Sequence, residues 1–206
     1  MASPAVAGGK RLAAARGAWI CFQDEAGQTL RPPKDKTWAR RGHTPVVAVS
    51  GKGSGRISIA GLLCLKPGHR GRLMWRTRLH RGRTGERSSF SEDDYIGFLD
   101  QAHQRLAAPI VLCWDNLNTH ISVRMRTLIA ARDWLTVVRL PAYAPDLNPT
   151  EGVWSWTKRG IANIAVHGVD HLADLVKQRL RACQQQTNLI AGFLAQTGMT
   201  IEPEPP

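Results

Sequence analysis

Three acidic residues in this sequence stand where chemistry is possible: Asp24, Asp115 and Glu151. Asp24 closes the apolar run AWICFQ at 18–23, and Asp115 closes the run IVLCW at 110–114. Glu151 falls in the first turn of a helix that follows LPAYAPDLNP. The ends of neighbouring strands can converge on one edge of a sheet, and a helix docked beside that edge can add a third group. Three carboxylates brought together repel and raise one another's pKa. Such a cluster persists when divalent cations neutralise it. Mg2+ takes oxygen ligands and keeps waters and substrate phosphates in its shell. Two such ions can flank a phosphodiester, one activating the nucleophile and the other stabilising the leaving oxygen. Each residue also has a local explanation. Asp24 begins Asp-Glu-Ala-Gly, a reasonable loop, and Asp115-Asn116 can open a turn or cap a helix. Asn148 at N-cap, Pro149 at N1 and Glu151 at N3 form a capping arrangement unaided. Glu25 and Asp146 are the rival carboxylates. Glu25 should leave a strand on the side opposite Asp24, and Asp146 sits in the turn before the helix.

The elements that must position these groups follow from pattern. Residues 18–23, 45–50 (PVVAVS) and 56–65 (RISIAGLLCL) read as strands, the last two joined by the glycine turn GKGSG. Short turns between them predict an antiparallel meander. The basic stretch HRGRLMWRTRLHRGRTGER holds Arg70, Arg72, Arg76, Arg78, Arg81, Arg83 and Arg87; part of it can be a further strand and the rest exposed. Ser91 with Asp94 resembles a capping box, and Tyr95, Leu99, Ala102 and Leu106 form one helical face before Pro109. A strand at 110–114, a helical stripe of Ile121, Met125, Leu128 and Ile129, and a strand at 134–140 come next. Strands alternating with helices predict parallel crossovers. A helix over 149–164 and a last helical region from Asp170 to Thr197, with a break near Gln186, complete the chain. On the helix of Glu151, residues Trp154, Ser155 and Lys158 share its face, while Val153, Thr157, Ile161 and Ile164 make a core-facing stripe. Lys158 is placed either to meet a phosphate near the site or to sit in solvent.

The chain has 206 residues, a net charge of +12 and a pI near 10.4. That length suits one domain with a real core, or one domain plus an appendage. The expected organisation is a flexible lead-in at 1–17, an α/β domain at 18–199 and a loose tail at 200–206. The charge favours a polyanionic partner, nucleic acid ahead of an anionic membrane surface. No apolar run approaches the roughly 20 residues of a membrane span. Cys21, Cys64, Cys113 and Cys183 show no C-x-x-C or zinc spacing, and three lie in apolar strand-like runs, which points to a reducing, intracellular setting. GKGSG fails the phosphate-loop pattern at both ends, with Val46 and Gly53 where Gly and Ser or Thr are needed.

The segments CFQDEAG, TWARRGHTP, VLCWDNLNTH and LPAYAPDLNPTEGVWSWTKR resemble the DDE transposases of bacterial insertion sequences in the Tc/mariner superfamily. The resemblance runs from about Trp19 to at least Arg159, and the 36 positions between Asp115 and Glu151 match the spacing of that group. It implies a ribonuclease H-like fold, here a mixed five-stranded sheet of three meander strands plus two parallel strands, flanked by helices. It implies that Asp24, Asp115 and Glu151 bind two Mg2+ or Mn2+ ions. Water would then cleave DNA at the element end, and the freed 3′-hydroxyl would attack target DNA. Asn116, His120 and Asn148 belong to the surrounding motifs and take supporting roles; His120 is either structural or in contact with DNA. The arginines at 70–83 and Lys158 would supply phosphate contacts. Expected partners are double-stranded DNA, a second copy of the chain and an upstream helix-turn-helix polypeptide, since only a short lead-in precedes the first strand. The expected location is the bacterial cytoplasm, at the nucleoid. A non-catalytic DNA-binding or regulatory remnant is the alternative function. A different nuclease on the same fold is disfavoured by DNLNTH and LNPTEGVW.

Overall fold

A computed structural model describes residues 4–36, 38–44, 46, 55–87, 89–142 and 144–200. Its centre is β1 (Trp19–Thr29), which begins as a run buried on both faces and is more exposed after Gln23, except at Gln28. β2 (Arg56–Leu65) pairs antiparallel with it, from Ile20 opposite Leu65 to Thr29 opposite Arg56. β3 (Arg72–His80) continues the meander on the far side of β2. β4 (Ile110–Trp114) and β5 (Leu135–Arg139) add on in parallel, giving the order β3-β2-β1-β4-β5. This is the mixed five-stranded sheet expected from the element order.

Two details differ from the expectation. The third meander strand is Arg72–His80, within the basic stretch, and the strand and glycine turn read at 45–54 lie almost wholly outside the described residues. β1 also does not stop at Asp24 but runs five residues further, because its register with β2 continues to Thr29. The periodicity hid this: Asp-Glu-Ala-Gly carries turn-forming residues, and the pairing partner β2 overrides that local preference.

Helices cover both faces. One core joins Ile20, Phe22, Ile57 and Leu63 of the sheet to α1 (Pro4–Ala15), α5 (Thr150–Gly160), α6 (Val169–Gln185) and α7 (Thr187–Gln196). The opposite core joins Cys21, Leu62, Leu112 and Trp114 to α2 (Glu92–Leu106) and α4 (Val123–Ala130), with the single turn α3 (Asn118–Ile121) beside them. The break between α6 and α7 falls at Gln186, as the sequence indicated. Residues 1–17 read as a flexible lead-in, yet 4–15 form α1, which buries Val6 and Ala13 against β4, β1 and β5. Its small, Ala- and Gly-rich composition gives a weak apolar stripe, and the packing partner supplies what the sequence lacked. The predicted tail overlaps residues 201–206, outside the described set. All four cysteines are buried and free. Among the described residues no helix is long and apolar enough to cross a membrane.

The start of α2 is fixed by a reciprocal cap. Ser91 Oγ accepts from the backbone of Asp94, and the Asp94 carboxylate accepts from the Ser91 backbone N–H at 2.9 Å. Aspartate thus fills the place usually held by Glu or Gln. Ser91→Ala should lower stability by about 1 kcal/mol, read as a shift in urea midpoint at constant m-value.

Candidate active site

The site forms where two parallel strands part. β1 and β4 are paired from Trp19–Ile110 to Phe22–Cys113. β4 then ends at Trp114 while β1 continues, so the same register two residues on sets Asp24 beside Asp115. Phe22 and Cys113 both face the core under α5 and α6. Strand alternation therefore aims Asp24 to that same side. A cavity of about 440 Å3 opens at this edge of the sheet, lined by Asp24, Glu25, Ala26, Gly27, Arg56, Ser58, Ser89, Asp115, Leu117 and His120.

The helix carrying Glu151 is pegged to β1 itself. Asn148 Nδ2 donates to the Gln23 carbonyl at 3.2 Å, and Thr150 Oγ1 donates to the Phe22 carbonyl at 2.9 Å. Asn148 Oδ1 also accepts from the Thr150 backbone at 3.1 Å. The helix proper starts at Thr150 with Pro149 as the cap residue, one position later than the sequence reading, but Asn148 still performs the capping bond from just outside. Its side chain is buried and shared between two elements, which a capping pattern alone does not disclose. Glu151, in the first turn, is exposed.

Trp154, three residues on, makes the contact that pattern reading missed as functional. Its Nε1 donates to Asp24 Oδ2 at 2.9 Å, and Asp24 Oδ1 accepts from the Glu25 backbone at 2.9 Å. The indole crosses the sheet over Gly61, the residue paired with Asp24 on β2. A β-carbon at position 61 would lie 2.5 Å from the indole, so only glycine lets Trp154 reach Asp24.

The two strand carboxylates sit in opposite electrostatic settings. Burial first, and then the negative charge of Glu151, push the Asp24 pKa up to about 7; Trp154 and the Glu25 amide act against this, and Asp115 adds to it. Asp115 is held below its ordinary value, chiefly by the hydrogen bond from His120 Nδ1 at 2.9 Å. Its side chain is 57% exposed while that of His120 is 2% exposed. His120 lies flat on Trp114, with ring centroids 4.1 Å apart. Its place is therefore inside the protein, orienting Asp115. Asn116 Nδ2 donates to the Leu140 carbonyl at 3.3 Å, tying the strand end to the loop after β5.

The rival carboxylates behave as strand and turn geometry require. Glu25 accepts a hydrogen bond from Tyr95 of α2, on the face opposite Trp154, although it lines the same cavity. Asp146 is exposed in a 3-10 turn at Pro145–Leu147.

Most of the basic residues expected at phosphates are committed internally. Arg72 donates to the Arg105 carbonyl and covers Trp19. Arg76 donates to the carbonyls of Asp94 and Gly97. Arg78 pairs with Asp94 at 3.9 Å, and Arg81 forms a two-pronged bond with Asp170 at 2.7 Å. They brace β3 against α2 and α6. Arg70 and Arg83 are exposed. Lys158 is exposed too, beside a small crevice with Gly27, Gln28 and Trp154 rather than in the carboxylate cavity.

The donor set suits a hard divalent cation. It offers carboxylate oxygens, and like charge around Asp24 is unfavourable until something positive relieves it. Among the described residues no group of three or more His, Cys, Asp and Glu is placed to hold a metal ion. Asp24 and Asp115 line the cavity together, and Glu151 lies outside its lining.

A family model described as DDE superfamily endonuclease matches residues 19–173, most of the chain. No curated protein sequence matches. Solved structures match in fold. The Mos1 mariner paired end complex with Mn is 16% identical with a TM-score of 0.63, covering 87% of this chain and 52% of that one. The corresponding complex with Mg is 15% identical with a TM-score of 0.64, covering 94% and 58%. The catalytic domain of Mos1 mariner transposase is 14% identical with a TM-score of 0.50, covering 89% and 84%. The chain thus spans about half the length of the Mos1 chains in the paired end complexes. The likeness is one of fold, and the fold is the ribonuclease H-like one.

The raised Asp24 pKa fixes a pH dependence. The folded protein favours the protonated acid, so this contribution to stability is full below pH 3.8 and is lost as pH rises to about 7. Without divalent cations, stability should fall across that window by on the order of a few kcal/mol. Asp24→Asn should flatten the slope in urea titrations from acid to neutral pH; an unchanged slope would place the dependence elsewhere.

Proposed function

Because the chain belongs to the DDE superfamily endonucleases, we propose that it is the catalytic domain of a Tc/mariner-type transposase, cutting and rejoining DNA with Asp24, Asp115 and Glu151 as cation ligands. The observation that carries this reading is Asp24 itself. Its carboxyl is pressed between burial and Glu151 and is drawn toward a neutral form that a bound cation would reverse. The Mos1 relatives were solved with Mn and Mg and in paired-end complexes with a transposon end, which supports a divalent cation and double-stranded DNA for this chain as well.

In the proposed mechanism each residue of the chain has a distinct task. Trp154 and the Glu25 amide orient the two oxygens of Asp24. His120 fixes Asp115 through one oxygen and leaves the other for a ligand. Asn148 and Thr150 hold the first turn of α5, and so Glu151, against β1. Divalent cations bound there would supply the Lewis acidity that activates water and stabilises the leaving 3′-oxygen. The 3′-hydroxyl freed at the element end would then attack target DNA. Two copies of the chain would act together on paired element ends. Arg70, Arg83 and Lys158 are exposed and would be among the cationic side chains that meet the DNA backbone, giving binding that weakens with salt.

Supercoiled plasmid with Mn2+ at low salt tests the reading. The chain should nick it, while Glu151→Gln and Asp115→Asn bind DNA as well as the parent and leave it intact. Nicking by all three proteins would remove these carboxylates from the site. DNA binding without nicking by the parent chain would favour a regulatory role.

A further inference from the structure

Tyr95 reaches Glu25, one of the residues lining the carboxylate cavity, from the side that the proposed mechanism leaves unused. It is a buried residue in the first turns of α2, and its hydroxyl donates to Glu25 Oε2 at 2.5 Å. The ring meets His120 edge-on, with centroids 4.9 Å apart at 77°, and lies 5.9 Å from Phe90. The cap between Ser91 and Asp94 fixes the helix turn from which it projects. The phenol therefore has one place to be, and its hydroxyl meets a carboxylate there.

Glu25 lines the same cavity as Asp24 and Asp115. It is a hard oxygen donor with the same charge as the residues read as cation ligands. Strand alternation sends it to the α2 face, and there the bond to Tyr95 occupies one of its oxygens and holds the group. We propose that Tyr95 is a positioning residue whose hydroxyl holds Glu25 out of the cation site, so that the cations are shared among Asp24, Asp115 and Glu151 alone. The inference rests on the reading of those three as cation ligands. Without the hydroxyl, a fourth carboxylate becomes free to turn into the cavity. Added ligand charge tightens divalent-cation binding. It also fills coordination positions that a metal needs open for water and substrate. Tight binding and slow turnover should therefore appear together, a combination that a tyrosine serving only to fill the core would not produce.

The test uses the full chain and Mn2+, with free ion measured by electron paramagnetic resonance, melting followed in EDTA, and plasmid nicking at saturating Mn2+. Tyr95→Phe keeps the ring and its contact with His120. It should melt close to the parent, bind Mn2+ about tenfold more tightly, and nick about tenfold more slowly. Adding Glu25→Gln to Tyr95→Phe should return Mn2+ affinity to the parent value, because the freed carboxylate is gone. The proposal is overturned if Tyr95→Phe binds Mn2+ within about twofold of the parent, or if the tightening persists in the double variant. A parent chain that binds no Mn2+, or binds it unchanged after Asp115→Asn, would overturn the cation-site reading and this proposal with it.

Discussion

The bond from Trp154 to Asp24 ties the helix of the third carboxylate to the strand of the first, and it exists because position 61 has no side chain. Remove the clearance over Gly61 and the indole cannot lie across β2. The face of α5 would then stand off from the sheet, and Asn148 and Thr150 would lose their line to the carbonyls of β1. Three hydrogen bonds and one missing methyl group thus decide where the first turn of α5 sits. The rest of the chain supports that placement: α6 and α7 back α5 from outside, with Phe193 packed so closely on Gly152 that a β-carbon there would lie 2.6 Å from its ring.

Electrostatics explains why so basic a chain keeps an acidic hollow. The net charge of +12 suggests a surface crowded with free cations. Much of the arginine of β3 is instead structural, bonding to helix carbonyls and to Asp94, and Arg81 just beyond it bonds to Asp170. Arginine suits this work because its planar fork donates in several fixed directions and stays charged. Carboxylates elsewhere thus have arginine partners: Asp100 takes a two-pronged bond from Arg132, and Asp93 one from Arg124. Asp24, by contrast, is bonded to an indole and an amide, neither of them charged.

Much of this was legible in residues. Buried strands announced themselves as Val-, Ile- and Leu-rich runs ending in Asp115 or leading into Asp24, and the Asn148-Pro149-Glu151 series marked the start of α5. What escaped had a common cause. β1 extends past Asp24 because β2 pairs with it, and α1 forms because β4 and β5 cover its weak stripe; neither partner is visible in a local window. Trp154 was placed on the face of Glu151 by helical spacing, yet its role depends on Gly61, 93 positions earlier in the chain. The arginines from 72 to 81 looked free because pattern gives charge without neighbours. Long-range pairing carries the information in all four cases.

The contrast between Asp24 and Asp115 follows from where each strand stops. β1 runs on, so Asp24 is enclosed by β2 on one side and roofed by Trp154 from α5; burial dominates and favours the acid. β4 stops, so Asp115 emerges into solvent with room beside it for a histidine from the next turn, and the hydrogen bond from His120 favours the carboxylate. Two identical side chains, adjacent in space, therefore differ in readiness to take a positive charge. Asp115 is already ionised and oriented, whereas Asp24 must give up a proton to become a ligand. That asymmetry follows the difference in strand length, which buries Asp24 and leaves Asp115 beside His120.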